Sequence, residues 1–171
     1  AYVTDGKLAE RELGAFAANA GERNRTLEAI AGEFPGAAER VLDEIVFSSE
    51  WKWSGLSFDR EGERLTLVLG APDVMIESGA LMLPAPMAQR LESETAKGHR
   101  VVALAQTGEA LPQAPADGLP AGLEPIALIV LSESLREGVT ETLELMRREN
   151  VSLKLISGDA KATVVSAVRT K

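Results

Sequence analysis

A chain of 171 residues with 26 acidic and 18 basic side chains, a net charge of −8, can bury a conventional core without staples. That charge opposes nonspecific binding to nucleic acid or to an anionic membrane. The absence of cysteine excludes disulfides and thiolate metal sites, and a single histidine, His99, argues against a His-rich metal centre or a Ser-His-Asp arrangement. No apolar run approaches the length of a membrane span and no signal-peptide pattern is present, so the expectation is a soluble, cytosolic segment.

From Leu8 to about Asn19, residues Leu13, Phe16, Ala17 and Ala20 recur at helical spacing. A second helix carries Leu27, Ile30, Ala31 and Phe34, with Asn24 as its N-cap and Pro35-Gly36 closing it. The period then changes. Residues 44–49, 51–58 and 64–69 alternate or run apolar, with 59–63 as the turn between the last two, which predicts an antiparallel meander. Pro72 opens a short helix that Gly79 follows, and Pro86 and Gly98 bracket another with Met87 and Leu91 facing inward. Residues 100–106 read as an apolar strand, and 108–122, rich in Pro, Ala and Gly, as a surface loop or linker. Beyond it, Pro125 to Leu131 is near-continuously apolar, a helix runs from about Leu135 to Glu149 behind a Ser134/Glu137 capping box, and Val151 to Ile156 is apolar again. Ser157-Gly158-Asp159 then leads into a helix with Val164, Val165 and Val168. Fully apolar strands alternating with helices predict a parallel βαβ unit. The expected fold class is therefore α+β: a twisted antiparallel sheet flanked by helices over 8–122, then a partial βαβα, Rossmann-like piece over 123–171.

One stretch, residues 46–55, joins an aromatic ring, hydroxyls and an isolated lysine. Phe47 and Lys52 are an odd number of residues apart, so an extended strand would set them on opposite faces. A turn around Ser49-Glu50 would bring ring and cation over one ligand, as a nucleotide requires. The plainer reading is a core phenylalanine with a solvated lysine. Arg100 at a strand start likewise reads as a surface charge, Asp159 as an N-cap and Gly70-Ala71-Pro72 as a turn. Trp51 and Trp53 share a strand face and fit core, partner surface or pocket rim, while His99 has no evident partner.

Neither a Walker loop nor a Gly-x-Gly-x-x-Gly fingerprint is present. However, Phe47-Ser48-Ser49-Glu50-Trp51-Lys52, Leu69-Gly70-Ala71-Pro72-Asp73 and Gly98-His99-Arg100-Val101-Val102-Ala103-Leu104-Ala105 stand in the order found in P-type cation-transporting ATPases. Glu133-Ser134-Leu135-Arg136-Glu137 resembles the hinge motif Asp-Pro-x-Arg of that family, and Ser157-Gly158-Asp159 resembles its Thr-Gly-Asp. The resemblance implies an ATP-binding N domain joined to the start of the second half of the phosphorylation (P) domain. It implies that Phe47 stacks on adenine, Lys52 lies beside adenine or phosphates, Gly70 admits the nucleotide close to the backbone, and Arg100 meets the phosphates. Glu22 takes the place of an acid contacting the adenine amino group, Glu133 and Arg136 form the hinge, and Asp159 neighbours the phosphorylated aspartate and its Mg²⁺.

The departures carry weight. Leu69 stands where lysine is usual, and Glu133-Ser134 replace the hinge Asp-Pro. The phosphorylation loop Asp-Lys-Thr-Gly-Thr is absent, so no catalytic residue and no metal ligand set are assigned to this chain. Val3-Thr4-Asp5-Gly6 resembles the nucleophile loop of the haloacid dehalogenase superfamily, with Val3 in place of the nucleophile. The resemblance thus implies the cytosolic ATP-binding part of an integral, plasma (inner) membrane pump for calcium or another metal cation. This part binds but does not hydrolyse ATP, and presents the γ-phosphate to an aspartate outside the chain. Its partners are ATP, the rest of the P domain and the transmembrane domain, with no nucleic acid. The alternative is a stand-alone, non-catalytic haloacid-dehalogenase-like relative that binds a ligand or partner. With Leu69 uncharged, the phosphates fall mainly to Arg100 helped by Lys52, and ATP, ADP and AMP are expected to bind with similar affinity.

Overall fold

The computed structural model describes residues 2–3, 6–131, 139–149 and 151. Two helices, α1 (Gly6–Asn19) and α2 (Arg25–Glu33), follow a two-residue strand β1 (Tyr2–Val3). Next come β2 (Val41–Ile45), β3 (Trp53–Arg60), β4 (Glu63–Gly70), the helices α3 (Pro72–Glu77) and α4 (Ala85–Ala96), β5 (Arg100–Thr107) and β6 (Glu124–Leu131). A further helix, α5, spans Val139–Arg148.

The strands form one open antiparallel sheet in the order β1-β6-β5-β4-β3-β2, in which β5, β6 and β1 extend the meander of β2, β3 and β4. Arg60 pairs with Glu63, which leaves Glu61 and Gly62 as a two-residue loop. Both have positive φ, 57° and 87°, the backbone twist a tight hairpin requires. Alternate residues feed two separate cores. Leu56, Phe58, Leu67, Leu69, Val102 and Leu104 face α1 and α2, whose Leu13, Phe16, Leu27 and Ile30 are buried against them. Trp53, Val68, Ala103 and Ala105 face the opposite layer, where Met75 of α3 and Met87 of α4 are buried. The result is a helix–sheet–helix sandwich, compatible with an α+β domain.

One expectation is corrected. Residues 125–131, read as the opening strand of a parallel unit, form β6 and pair antiparallel with β5 from Arg100↔Leu131 to Gln106↔Glu124. Ile126, Ala127 and Ile129 enter one core and Leu128 the other. The unbroken apolar run therefore reports a strand covered on both faces, which antiparallel pairing in a sandwich produces as readily as parallel pairing. The dividing line at 122/123 falls just ahead of a strand that is hydrogen-bonded into the first sheet. Of the remainder of the Rossmann-like reading, α5 falls within the expected helix, and residues 132–138, 150 and 152–171 lie outside the described residues.

Candidate functional site

β2 ends at Ile45 and the chain leaves the sheet until β3 begins at Trp53. Lys52 N–H donates to the Ser48 carbonyl at 2.7 Å, and Glu50 N–H donates to the Ser48 hydroxyl at 3.1 Å. Lys52 takes a φ of 59°, left-handed backbone that costs a non-glycine residue about 1 kcal/mol. Its carbonyl accepts from Ala71 N–H at 2.9 Å, tying the loop to the end of β4. This turn removes the opposite-face parity of an extended strand, and Phe47 and Lys52 line the same cavity.

That cavity, about 350 Å³, opens on the α1/α2 side of the sheet where β4 ends and β5 begins. Ser54, Leu69 and Val102 contribute from three adjacent strands, and the start of α2 borders it. Asn24 anchors that helix by accepting from Leu27 N–H at 3.0 Å, the N-cap bond expected from sequence. Phe47 is 39% exposed and lines the cavity. Three cations line the cavity, Arg25, Lys52 and Arg100, and no carboxylate does. None of the three makes a side-chain hydrogen bond or ion pair with a described residue.

Of the residues singled out from sequence, Phe47, Lys52, Gly70 and Arg100 thus meet at one cavity. Glu22 does not line it. It borders an adjoining recess of about 120 Å³ that also holds Glu44 and shares Phe47, Asn24 and Ser54 with the larger space. At Gly70 a Cβ would stand 2.6 Å from Trp53 Cβ and 3.0 Å from the Lys52 carbonyl, so glycine is required there for β3 and β4 to approach. Leu69 is only 5% exposed and belongs to the core while lining the cavity. Trp53 and Trp51 pack into the opposite core and line neither space. His99 has a partner after all: its Nδ1 lies 2.6 Å from Glu94 Oε2. Glu133, Arg136 and Asp159 lie outside the described residues. Sequence reasoning missed Arg25. Its signal was a cation at the first position of a helix, where the macrodipole favours an anion.

No protein-family profile matches the chain. It is 33% identical over 159 residues to a probable cation-transporting ATPase of Streptococcus pneumoniae, covering 90% of this chain and 18% of that protein. It is 38% identical over 155 residues to the calcium-transporting ATPase CtpE of Mycobacterium tuberculosis, covering 89% of this chain and 18% of that protein. The corresponding CtpE of Mycolicibacterium smegmatis is 33% identical over 172 residues, covering 99% and 20%. The chain belongs to the P-type ATPases. It spans roughly a fifth of the length of these relatives. Among the described residues of this P-type ATPase segment, no helix is long and apolar enough to cross a membrane. Nor do three or more His, Asp or Glu side chains gather into a metal-binding set there.

Proposed function

We propose that this chain is the ATP-binding domain of a P-type cation-transporting ATPase. It holds adenine against Phe47 and leaves the γ-phosphate projecting toward an aspartate outside the chain. The observation that carries this reading is the cavity itself, where an exposed aromatic residue meets cations that have no partner among the described residues, with no carboxylate lining it, in a chain of net charge −8. Stacking grips a base whatever its edge presents, and the cations neutralise phosphate oxygens. The chain's own contribution to phosphoryl transfer is then positioning: it fixes the base, orients the polyphosphate and supplies no nucleophile. On this reading the nucleotide domain extends through Leu131, because β6 completes its sheet, and the hinge and P-domain portion follow. Glu133 and Arg136 serve the hinge, and Asp159 the neighbourhood of the phosphorylated aspartate. The domain is cytosolic, and the parent is an integral membrane pump whose cargo is calcium or another metal cation, as the names of its relatives indicate for them.

The short share of each relative that the chain covers favours this over a stand-alone binding module. Calorimetric titration of the chain with ATP tests it. Base stacking contributes on the order of 1–3 kcal/mol, so Phe47→Ala should weaken ATP about tenfold or more while the melting transition stays in place. An unchanged titration would remove adenine from Phe47. The chain alone should release no phosphate from ATP in proportion to its concentration.

A further inference from the structure

We infer that Arg25 is a specificity-determining residue of this cavity, a third phosphate cation that makes affinity rise with the number of phosphates. The inference rests on the nucleotide reading above and changes what that reading predicts. Counting only Arg100 and Lys52, with Leu69 in place of a lysine, ATP, ADP and AMP should bind alike. Arg25 restores the missing charge from another element.

Three observations carry this. First, Arg25 begins α2, a position where a cation opposes the helix dipole, and although Glu28 stands in the same first turn, no described carboxylate forms an ion pair with Arg25. Arg11, Arg40 and Arg60, by contrast, each have an acidic partner. Second, Arg25 lines the cavity that contains Lys52 and Arg100 but not the recess that contains Glu22 and Glu44. It therefore lines the space whose charged lining residues are all cations, whereas the adjoining recess mixes Glu22 and Glu44 with Arg23. Third, Lys52 adjoins the start of β3 and Arg100 the start of β5, with β4 between them. Two sheet spacings separate these rims by roughly 10 Å, a span that two cations at its edges leave largely uncovered, so a third cation on the same cavity is what lets each added phosphate meet a charge. Like charges around a space of this size repel one another until a polyanion enters, which a net charge of −8 elsewhere does not prevent at physiological salt.

The test is calorimetric titration of the 171-residue chain with adenosine, AMP, ADP, ATP and inorganic tripolyphosphate. The wild-type chain should bind more tightly along the series from AMP to ATP. Arg25→Gln should weaken ATP and tripolyphosphate about five- to tenfold and adenosine less than twofold, the size of a partly exposed charge-assisted contact. Arg25→Lys should keep most of the ATP affinity, and the wild-type advantage should shrink in high salt. An equal loss for adenosine and ATP, or no loss for either, overturns the inference. So does a wild-type chain that binds adenosine and ATP equally, although the nucleotide reading then stands. Binding of tripolyphosphate without adenosine defeats base stacking and leaves Arg25 as a phosphate cation. A wild-type chain that binds neither defeats both. A melting transition shared by wild type, Arg25→Gln and Arg25→Lys separates these outcomes from misfolding.

Discussion

The β3–β4 hairpin has cations beside both of its ends, on the same face of the sheet, and the ends behave oppositely. At the turn, Arg60 Nη1 donates to Glu12 Oε1 at 2.8 Å, while Nε and Nη2 donate to Glu39 at 2.8 and 3.0 Å. The hydrogen bond to Glu12, opposed by burial and supported by Glu39, raises the pKa of Arg60 above its ordinary value. The guanidinium also sits 5.6 Å from the centre of the Phe58 ring. Glu12 is fully buried, and among the described residues its second oxygen has no partner, so one carboxylate oxygen holds Arg60 and Arg11 together. At the other end, Arg100 and Lys52 face a cavity with no acid at all. A charge whose counter-charges lie within the chain ties elements together, here α1 and the segment before β2 to the hairpin. A charge left without them is available to something that arrives from outside.

The largest effect that can break this contrast is at the paired end. Arg60→Ala leaves Glu12 buried with only the more exposed Arg11, and should lower unfolding stability by about 3 kcal/mol in urea titration. Nucleotide affinity, measured well below the unfolding midpoint, should stay unchanged; a loss of ATP binding without a loss of stability would erase the distinction between the two ends. Next is Leu69→Lys, at a residue both buried and cavity-lining. Losing the leucine from the core should cost about 2 kcal/mol. The lysine stem can extend its ammonium into the cavity, so ATP should gain over AMP by about 0.5–1 kcal/mol. A stable variant with no gain for ATP would take Leu69 out of the site. Smaller again is Arg100→Ala, expected to weaken ATP by about 1 kcal/mol with no shift in melting, because the side chain supports nothing else among the described residues.

The smallest effect concerns a second fully paired cluster. Glu94 is 4% exposed, and hydrogen bonds from Lys97 and then His99, with Arg90 nearby, lower its pKa to about 2 from an ordinary 4.5. A depressed folded-state pKa means that the carboxylate form stabilises the fold. That contribution is fully present above about pH 4.5 and is lost as pH falls toward 2. Denaturation midpoints should therefore decline through this window, and Glu94→Gln should show a shallower decline. A parallel decline in both would detach the acid sensitivity from Glu94.

The meander was legible because strands covered on both faces read as short apolar runs bounded by turn residues, and Asn24, Pro72 and Gly62 announced their turns and caps by chemistry that acts within a few residues. Phe47, Lys52, Gly70 and Arg100 were legible as site candidates only through the order of short motifs, since each alone reads equally well as core, turn or solvated charge. Arg25 was passed over because its meaning depends on which strand ends lie opposite the start of α2. The same limit hid the partner of His99, which helix α4 ends by folding back against Glu94, and misplaced β6, whose apolar run is the same in parallel and antiparallel company.

By itself, then, the sequence determined the local elements, the two-sided burial of the sheet and the identity of the aromatic and basic side chains that a nucleotide would need. Those properties follow from interactions a few residues long. Only the tertiary structure decided which cations are already neutralised and which are free of any described partner, that Glu22 borders an adjoining recess rather than the cavity, and that β6 joins the antiparallel sheet between β5 and β1. Counter-charge, cavity and strand neighbour are all set between residues tens of positions apart, and nothing in a local pattern encodes that distance.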